Sequence, residues 1–292
     1  MAAEREPIAL RDLGREGWKR VAKCTFERFG KVQLTDRAAA LAYYGFLSLF
    51  PALIVAIAAL ALIGSYPETY RAIIDALRDA APGTAVDTID SALRDVLRGR
   101  GAGSLLGIGL VFSLITASNA VGAAIRALEV INGTTEAASF VRSNLTRLWL
   151  TVALMAGFLV AFAALVLAGP IFGAIAEDAG LGEAGRTIIS VGRYPIGLAA
   201  LLGATLLLYT RGPAGTRRRV VDHLPGALLA AALWVLASMG FSFYVSNFGS
   251  YDATYGSLGA VIVLLIWIYI SSIALLLGAL VNHELLRARG LL

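Results

Sequence analysis

The residues of this chain that can do chemistry are hydroxyl, indole and amide groups set inside otherwise apolar stretches: Tyr43, Tyr44, Ser48, Asn119, Trp234, Ser238, Trp267, Tyr269 and Ser271. Such groups hydrogen-bond without carrying charge, so together they suit a neutral or zwitterionic solute or an amphiphile; ordinary packing between helices is the alternative reading of the same residues. A second group lies in the short polar segment from Asn247 to Gly256, where Asn247, Tyr251, Asp252 and Tyr255 stand among glycines with no Lys or Arg. This segment is expected to form an outer hairpin over the first group. Asp36, Arg37, Arg147 and Glu284 form a third set, able to act as an inner gate if Asp36 and Arg37 meet Glu284 or Arg147, although helix capping and charge placement at a membrane surface explain them equally. Reaction chemistry has little to work with. Histidine occurs only at His223 and His283, acidic residues do not cluster at metal spacing, and Cys24 is the single cysteine, which excludes an intrachain disulfide and a cysteine-based zinc motif. No catalytic residue, metal site or cofactor is expected, and the chain is not expected to be an enzyme.

These groups are carried by elements too apolar for a soluble protein. Hydrophobic residues make up 58% of the chain and charged ones only 15%, which decides for a polytopic membrane domain over two soluble ones. The clearest element is the run from Leu258 to Val281, where no residue is charged; at about 1.5 Å per residue it crosses a hydrocarbon core of roughly 30 Å. Trp267 and Tyr269 fall near its middle rather than at the headgroup level where anchoring aromatics sit, so their N–H and O–H groups must find partners inside the protein or in a wet cavity. Five further stretches give spans at about 41–63, 105–128, 149–175, 187–209 and 224–246. In the first, Pro51 removes a backbone donor and should kink the helix, with Ser48 nearby to take up freed bonding capacity; Thr35-Asp36 is expected to cap its start. In the second, Ser113, Thr116 and Asn119 follow one another at helical turns beside Ala120, Ala123, Ala124 and Ala127, marking an interior helix. In the fifth, Pro225 is expected in the first turn, and Trp234, Ser238, Ser242 and Ser246 fall four apart on one face.

The reading is therefore all-α: a polytopic bundle of six transmembrane helices over residues 38–286, preceded by a cytoplasmic or interfacial amphipathic segment (1–37) and followed by a short cytoplasmic tail (287–292). Residues 65–103, with Pro82-Gly83 between two amphipathic stripes, are expected to be an extracytoplasmic helical hairpin between spans one and two. Trp18, Val21, Ala22, Thr25, Phe26 and Phe29 recur at helical spacing among basic residues, so the N-terminal helix should either lie in an anionic headgroup layer or pack against the ends of the spans. Basic residues crowd the N-terminus, the loops after spans two and four, and the C-terminus, which puts both ends in the cytoplasm; Arg94, Arg98 and Arg100 run against that trend. The same placement accounts for the pI near 9.5 without a nucleic-acid partner. The excess of Arg over Lys, with abundant Ala and Gly, points to a bacterial source, and the polar start does not resemble a cleavable signal peptide. An inverted repeat of three-helix halves would place a proline in spans one and four, as found, but no shared register accompanies it.

Order and spacing of several motifs carry a resemblance. Asp36-Arg37-Ala38-Ala39-Ala40-Leu41-Ala42-Tyr43-Tyr44 followed by Ser48 and Pro51, Leu224-Pro225-Gly226-Ala227, and Phe248-Gly249-Ser250-Tyr251 through Tyr255-Gly256-Ser257 with Trp267, Tyr269, Gly278 and Glu284 resemble the YihY/virulence factor BrkB family of bacterial inner-membrane proteins over about residues 15 to 286. The resemblance implies an integral inner-membrane protein with six helices and, as proposed for some members, a role in export of small solutes or in envelope lipid or surface integrity. It supplies no agreed catalytic or binding residues. An old label for the family, ribonuclease BN, does not suit a chain with two histidines and no soluble domain to hold a phosphodiester. The expected function is that of a transporter or exporter of a small neutral or zwitterionic solute or an amphiphile, with membrane lipids as surroundings and homo-oligomer formation open. A non-transporting envelope scaffold or a lipid translocation factor is the alternative.

Overall fold

The computed structural model describes residues 12–63, 102–134, 139, 141–158, 160, 182–213, 219–248 and 257–292. Among these residues the regular structure is helical throughout: α1 (Gly14–Lys31), α2 (Leu34–Ile63), α3 (Ala102–Asn132), α4 (141–158), α5 (Gly182–Arg211), α6 (Val220–Phe248) and α7 (Ser257–Ala288). Each apolar stretch read from the sequence falls on one of α2 to α7. Among the described residues, three segments, Val111–Asn132, Val220–Tyr244 and Val261–Ala288, are long and apolar enough to cross a membrane. The expected helical hairpin at 65–103 lies outside the described residues apart from its last positions, which begin α3, and so does the expected third span beyond residue 160.

α7 is the axis of the molecule. Its 32 residues extend about 48 Å at the usual helical rise, and it packs on α1, α2, α3 and α6. α3 packs along α2, and α5 reaches α7 through the Tyr209 hydroxyl, which donates to the Leu275 carbonyl. The buried core runs from Val32, Leu34 and Ala38 through Ala124, Ala127, Leu128 and Ile131 to Leu208, Tyr209, Ala227, Leu276, Ala279 and Leu280. Among the described residues this core joins the end of α1, the starts of α2 and α6, and the ends of α3, α5 and α7. Val111, Phe112 and Ile115 of α3, Leu236, Met239 and Phe243 of α6, and Ile262 and Ile266 of α7 are exposed, as suits side chains that meet lipid or line open space.

Two expected helix starts are corrected. α2 begins at Leu34, ahead of the expected Thr35-Asp36 cap, because Gln33 takes a left-handed turn (φ 50°) and its carbonyl accepts from the Arg37 N–H at 3.1 Å. Asp36 then sits in the first turn, where a carboxylate opposes the positive end of the helix dipole. Pro225 lies inside α6, which begins at Val220. Of the two readings of α1, packing on the bundle is found: Val21 and Thr25 are buried, while Trp18 and Phe26 (84% exposed) point away.

Candidate functional site

The seam between α6 and α7 is built first from small residues. A Cβ on Gly226 would stand 2.6 Å from the Gly278 carbonyl oxygen and 2.3 Å from Asn282 Cβ, and one on Gly278 would stand 2.6 Å from Ala230 Cβ. Absence of side chains at these two positions is what lets the backbones meet. Farther along the same seam, Trp234 Nε1 donates to Ser271 Oγ at 3.0 Å and Trp267 Nε1 donates to Ser238 Oγ at 3.3 Å, with the two indoles edge to face at 5.9 Å. Each helix contributes a Trp and, one turn later, a Ser; running antiparallel, they set the Trp of each against the Ser of the other. The midspan indoles thus have partners, as required, and those partners are on the facing helix.

The remaining expected cavity residues are distributed around this clasp. Tyr43 is 57% exposed and meets Tyr44 edge to face on α2, Ser48 Oγ donates to the Gly45 carbonyl within its own helix at 2.8 Å, and Tyr269 packs against the core. Asn119 accepts from Arg147 Nη2 at 2.5 Å, tying α3 to α4. In the expected outer hairpin, Asn247 falls on the last turn of α6, and Tyr251, Asp252 and Tyr255 lie outside the described residues.

The four inner-gate candidates engage different partners. Arg37 Nε donates to the Val32 carbonyl at 2.7 Å, Asp36 accepts a long bond from Thr35 on the exposed surface, and Arg147 bonds to Ser118 and Asn119. Glu284 instead accepts from Arg28 Nη1 at 2.7 Å, an ion pair whose carboxylate is only 2% exposed. Arg28 Nη2 also donates to the carbonyl of Ile131, so one guanidinium joins α1, α3 and α7.

Glu284 belongs to a cluster whose other members the sequence does not single out. Asn282, His283 and Glu284 are consecutive and all buried. Successive helical residues are rotated by about 100°, so the three address different neighbours. Asn282 Oδ1 accepts from the Gly226 N–H at 3.2 Å and its Nδ2 donates to His223 Nδ1 at 3.2 Å, both on α6. Because His223 Nδ1 accepts there, a neutral His223 carries its proton on Nε2. His283 Nδ1 faces Asn132 Oδ1 on α3 at 3.4 Å, and Glu284 takes α1. Beyond them, Arg289 pairs with Asp222 at 3.6 Å. One signal was available: Leu285 and Leu286 follow the polar triplet, and an apolar pair at that point means that the helix is still inside the protein. Among the described residues no group of three His, Cys, Asp or Glu side chains is placed to hold a metal ion.

Known proteins resemble this chain over most of its length. The chain matches the family described as Virulence factor BrkB over residues 25–290. It is 33% identical over 267 residues to the ribonuclease-like protein YfkH of Bacillus subtilis (strain 168), covering 91% of this chain and 95% of that one. UPF0761 membrane proteins of Pseudoalteromonas translucida (30% identical; 85% of this chain, 79% of that one) and Aeromonas salmonicida (27%; 88% and 86%) are similar over nearly the same range. No solved structure matches.

Proposed function

This chain is a membrane protein belonging to the virulence factor BrkB family, and from that premise we propose that it is a transporter of the bacterial inner membrane, moving a small neutral or zwitterionic solute or an amphiphile through its helix bundle. Six spans, α2 to α7, with both termini cytoplasmic, form the bundle in this reading. The supporting observation is that, among the described residues, Tyr43 and large apolar side chains such as Phe112, Leu236, Met239 and Phe243 are exposed on α2, α3 and α6, beside the Trp234–Ser271 and Trp267–Ser238 pairs. A carrier needs such polar groups within its apolar helices. A cargo with hydroxyl or zwitterionic groups and an apolar body can pair with Tyr43, Tyr44 and the Trp234–Trp267 clasp. The proposed activity needs no catalytic residue, and the ribonuclease-like name of the Bacillus relative is not extended to this chain.

A second reading, an envelope scaffold without transport, is favoured by the reciprocal Trp–Ser bonds, which satisfy four midspan polar groups with no solvent. The two are separated by reconstituting the purified protein in liposomes and following a panel of neutral solutes and labelled phospholipids. Transport predicts flux above that of empty vesicles, reduced severalfold or more by Trp267→Ala. Flux equal to empty vesicles for both cargo classes rejects it in favour of the scaffold.

A further inference from the structure

Gly122 of α3 is buried under two arginines. An ideal Cβ at this position would stand 2.9 Å from Arg147 Nε, 3.1 Å from Arg147 Cζ and 3.2 Å from Arg126 Nη1, so both guanidinium groups crowd one point that only a glycine leaves open. Arg126 reaches it from one turn ahead on the same helix, its side chain leaning back toward the helix N-terminus as helical side chains do. Arg147 reaches it from α4. Arg147 spends Nε on the Ser118 carbonyl and Nη2 on Asn119 Oδ1, which fixes its plane and leaves Nη1 without a hydrogen bond among the described residues. Arg126 is exposed and makes no hydrogen bond or ion pair among the described residues. Glu129, the nearest acidic residue along α3, forms no ion pair with either arginine there.

Among the described residues, two permanently charged groups are therefore held together with no carboxylate paired to either. Their repulsion is relieved by an anion that accepts from both, and the planar fork of arginine fits the oxygens of a phosphate. The location suits that chemistry: Arg126 lies at the end of one expected span and Arg147 at the start of the next, at headgroup level, where basic pockets between helices take anionic lipid headgroups. We propose that Arg126 and Arg147, over Gly122, form a phosphate-binding site at the α3–α4 junction, occupied by the phosphate of an anionic lipid or of a soluble phosphate compound. Binding at this site is measurable without transport.

The test uses the purified full-length protein in neutral detergent, with thermal unfolding followed against inorganic phosphate, short-chain phosphatidylglycerol, short-chain phosphatidylcholine, and chloride at matched ionic strength. A midpoint that rises with phosphatidylglycerol alone identifies a lipid headgroup, and one that rises with inorganic phosphate identifies a soluble group; either supports the site. Arg126→Gln removes one fork without removing a structural bond and should weaken the apparent affinity about tenfold or more, whereas Arg142→Gln, the same charge loss at an exposed position of α4, should leave it unchanged. If Arg126→Gln is not recovered in folded form, Arg126→Lys decides: it keeps the charge and loses the fork, and wild-type affinity in it overturns the site. No rise with either phosphate probe beyond that with chloride, or equal weakening in Arg126→Gln and Arg142→Gln, also overturns it.

Discussion

At the scale of single residues, a buried charge is decided by its partner. Glu284 keeps its carboxylate in the bundle because Arg28 donates to it at 2.7 Å and is itself held by the Ile131 carbonyl. Removing one member strands the other, and for a pair this buried the loss is about 3–5 kcal/mol. Arg28→Ala and Glu284→Ala are each expected to lower thermal stability by that order. The double variant Arg28→Met with Glu284→Leu should recover most of it, since no unpaired charge then remains; chemical or thermal denaturation of the three variants checks the pattern. Reading residues one at a time identified Trp267, Trp234, Ser238 and Ser271 as groups in need of partners, because indole and hydroxyl inside an apolar helix have no solvent to bond. It did not identify Arg28 as the partner of Glu284. The two are 256 positions apart, and neither local spacing nor periodicity carries information across that distance.

At the scale of elements, helix existence was legible because long apolar runs with at most one charge have few other solutions, and within the described residues each of the six stretches falls on a helix. Starts were less legible. The backbone at Gln33 and Val220 reflects turn geometry and tertiary packing, which the nearby capping residues and Pro225 did not reveal. Contacts between elements were legible only in part: the Gly226–Ala230 spacing advertises a close approach, but its partner, Gly278, had to be seen. The seam makes a direct prediction. Gly226→Ala places a methyl 2.6 Å from the Gly278 carbonyl and must part α6 from α7, so it should cost several kcal/mol and depress the yield of folded protein. Gly240→Ala, on the same helix with nothing within 4 Å of its Cβ, should be neutral or gain up to about 1 kcal/mol from helix propensity. Parallel thermal melts of the two variants measure the difference.

At the scale of the whole molecule, the proposed arrangement has an even number of spans, so both ends of α2–α7 share a compartment. With Cys24 replaced by Ser, single cysteines at position 290 and at position 253 should differ in intact cells: an impermeant maleimide should label position 253 and leave position 290 unmodified until the membrane is opened. The opposite pattern would invert the bundle and move the Asn282–His283–Glu284 cluster outside. Family membership and the all-helical class were already carried by motif order and hydropathy, whereas the long-range joins of α7 to α1, α3 and α6 were not, since hydropathy carries no pairing information. The placement of the Asn282–His283–Glu284 cluster has a consequence for biogenesis. Its three residues sit near the C-terminal end of α7, while the groups they engage on α1, α3 and α6 are made before them. Until α7 is made those groups stay unengaged, and locking comes as a single event once Asn282 to Glu284 arrive; a chain stalled before Asn282 would remain unlatched and open to the proteases that survey the membrane.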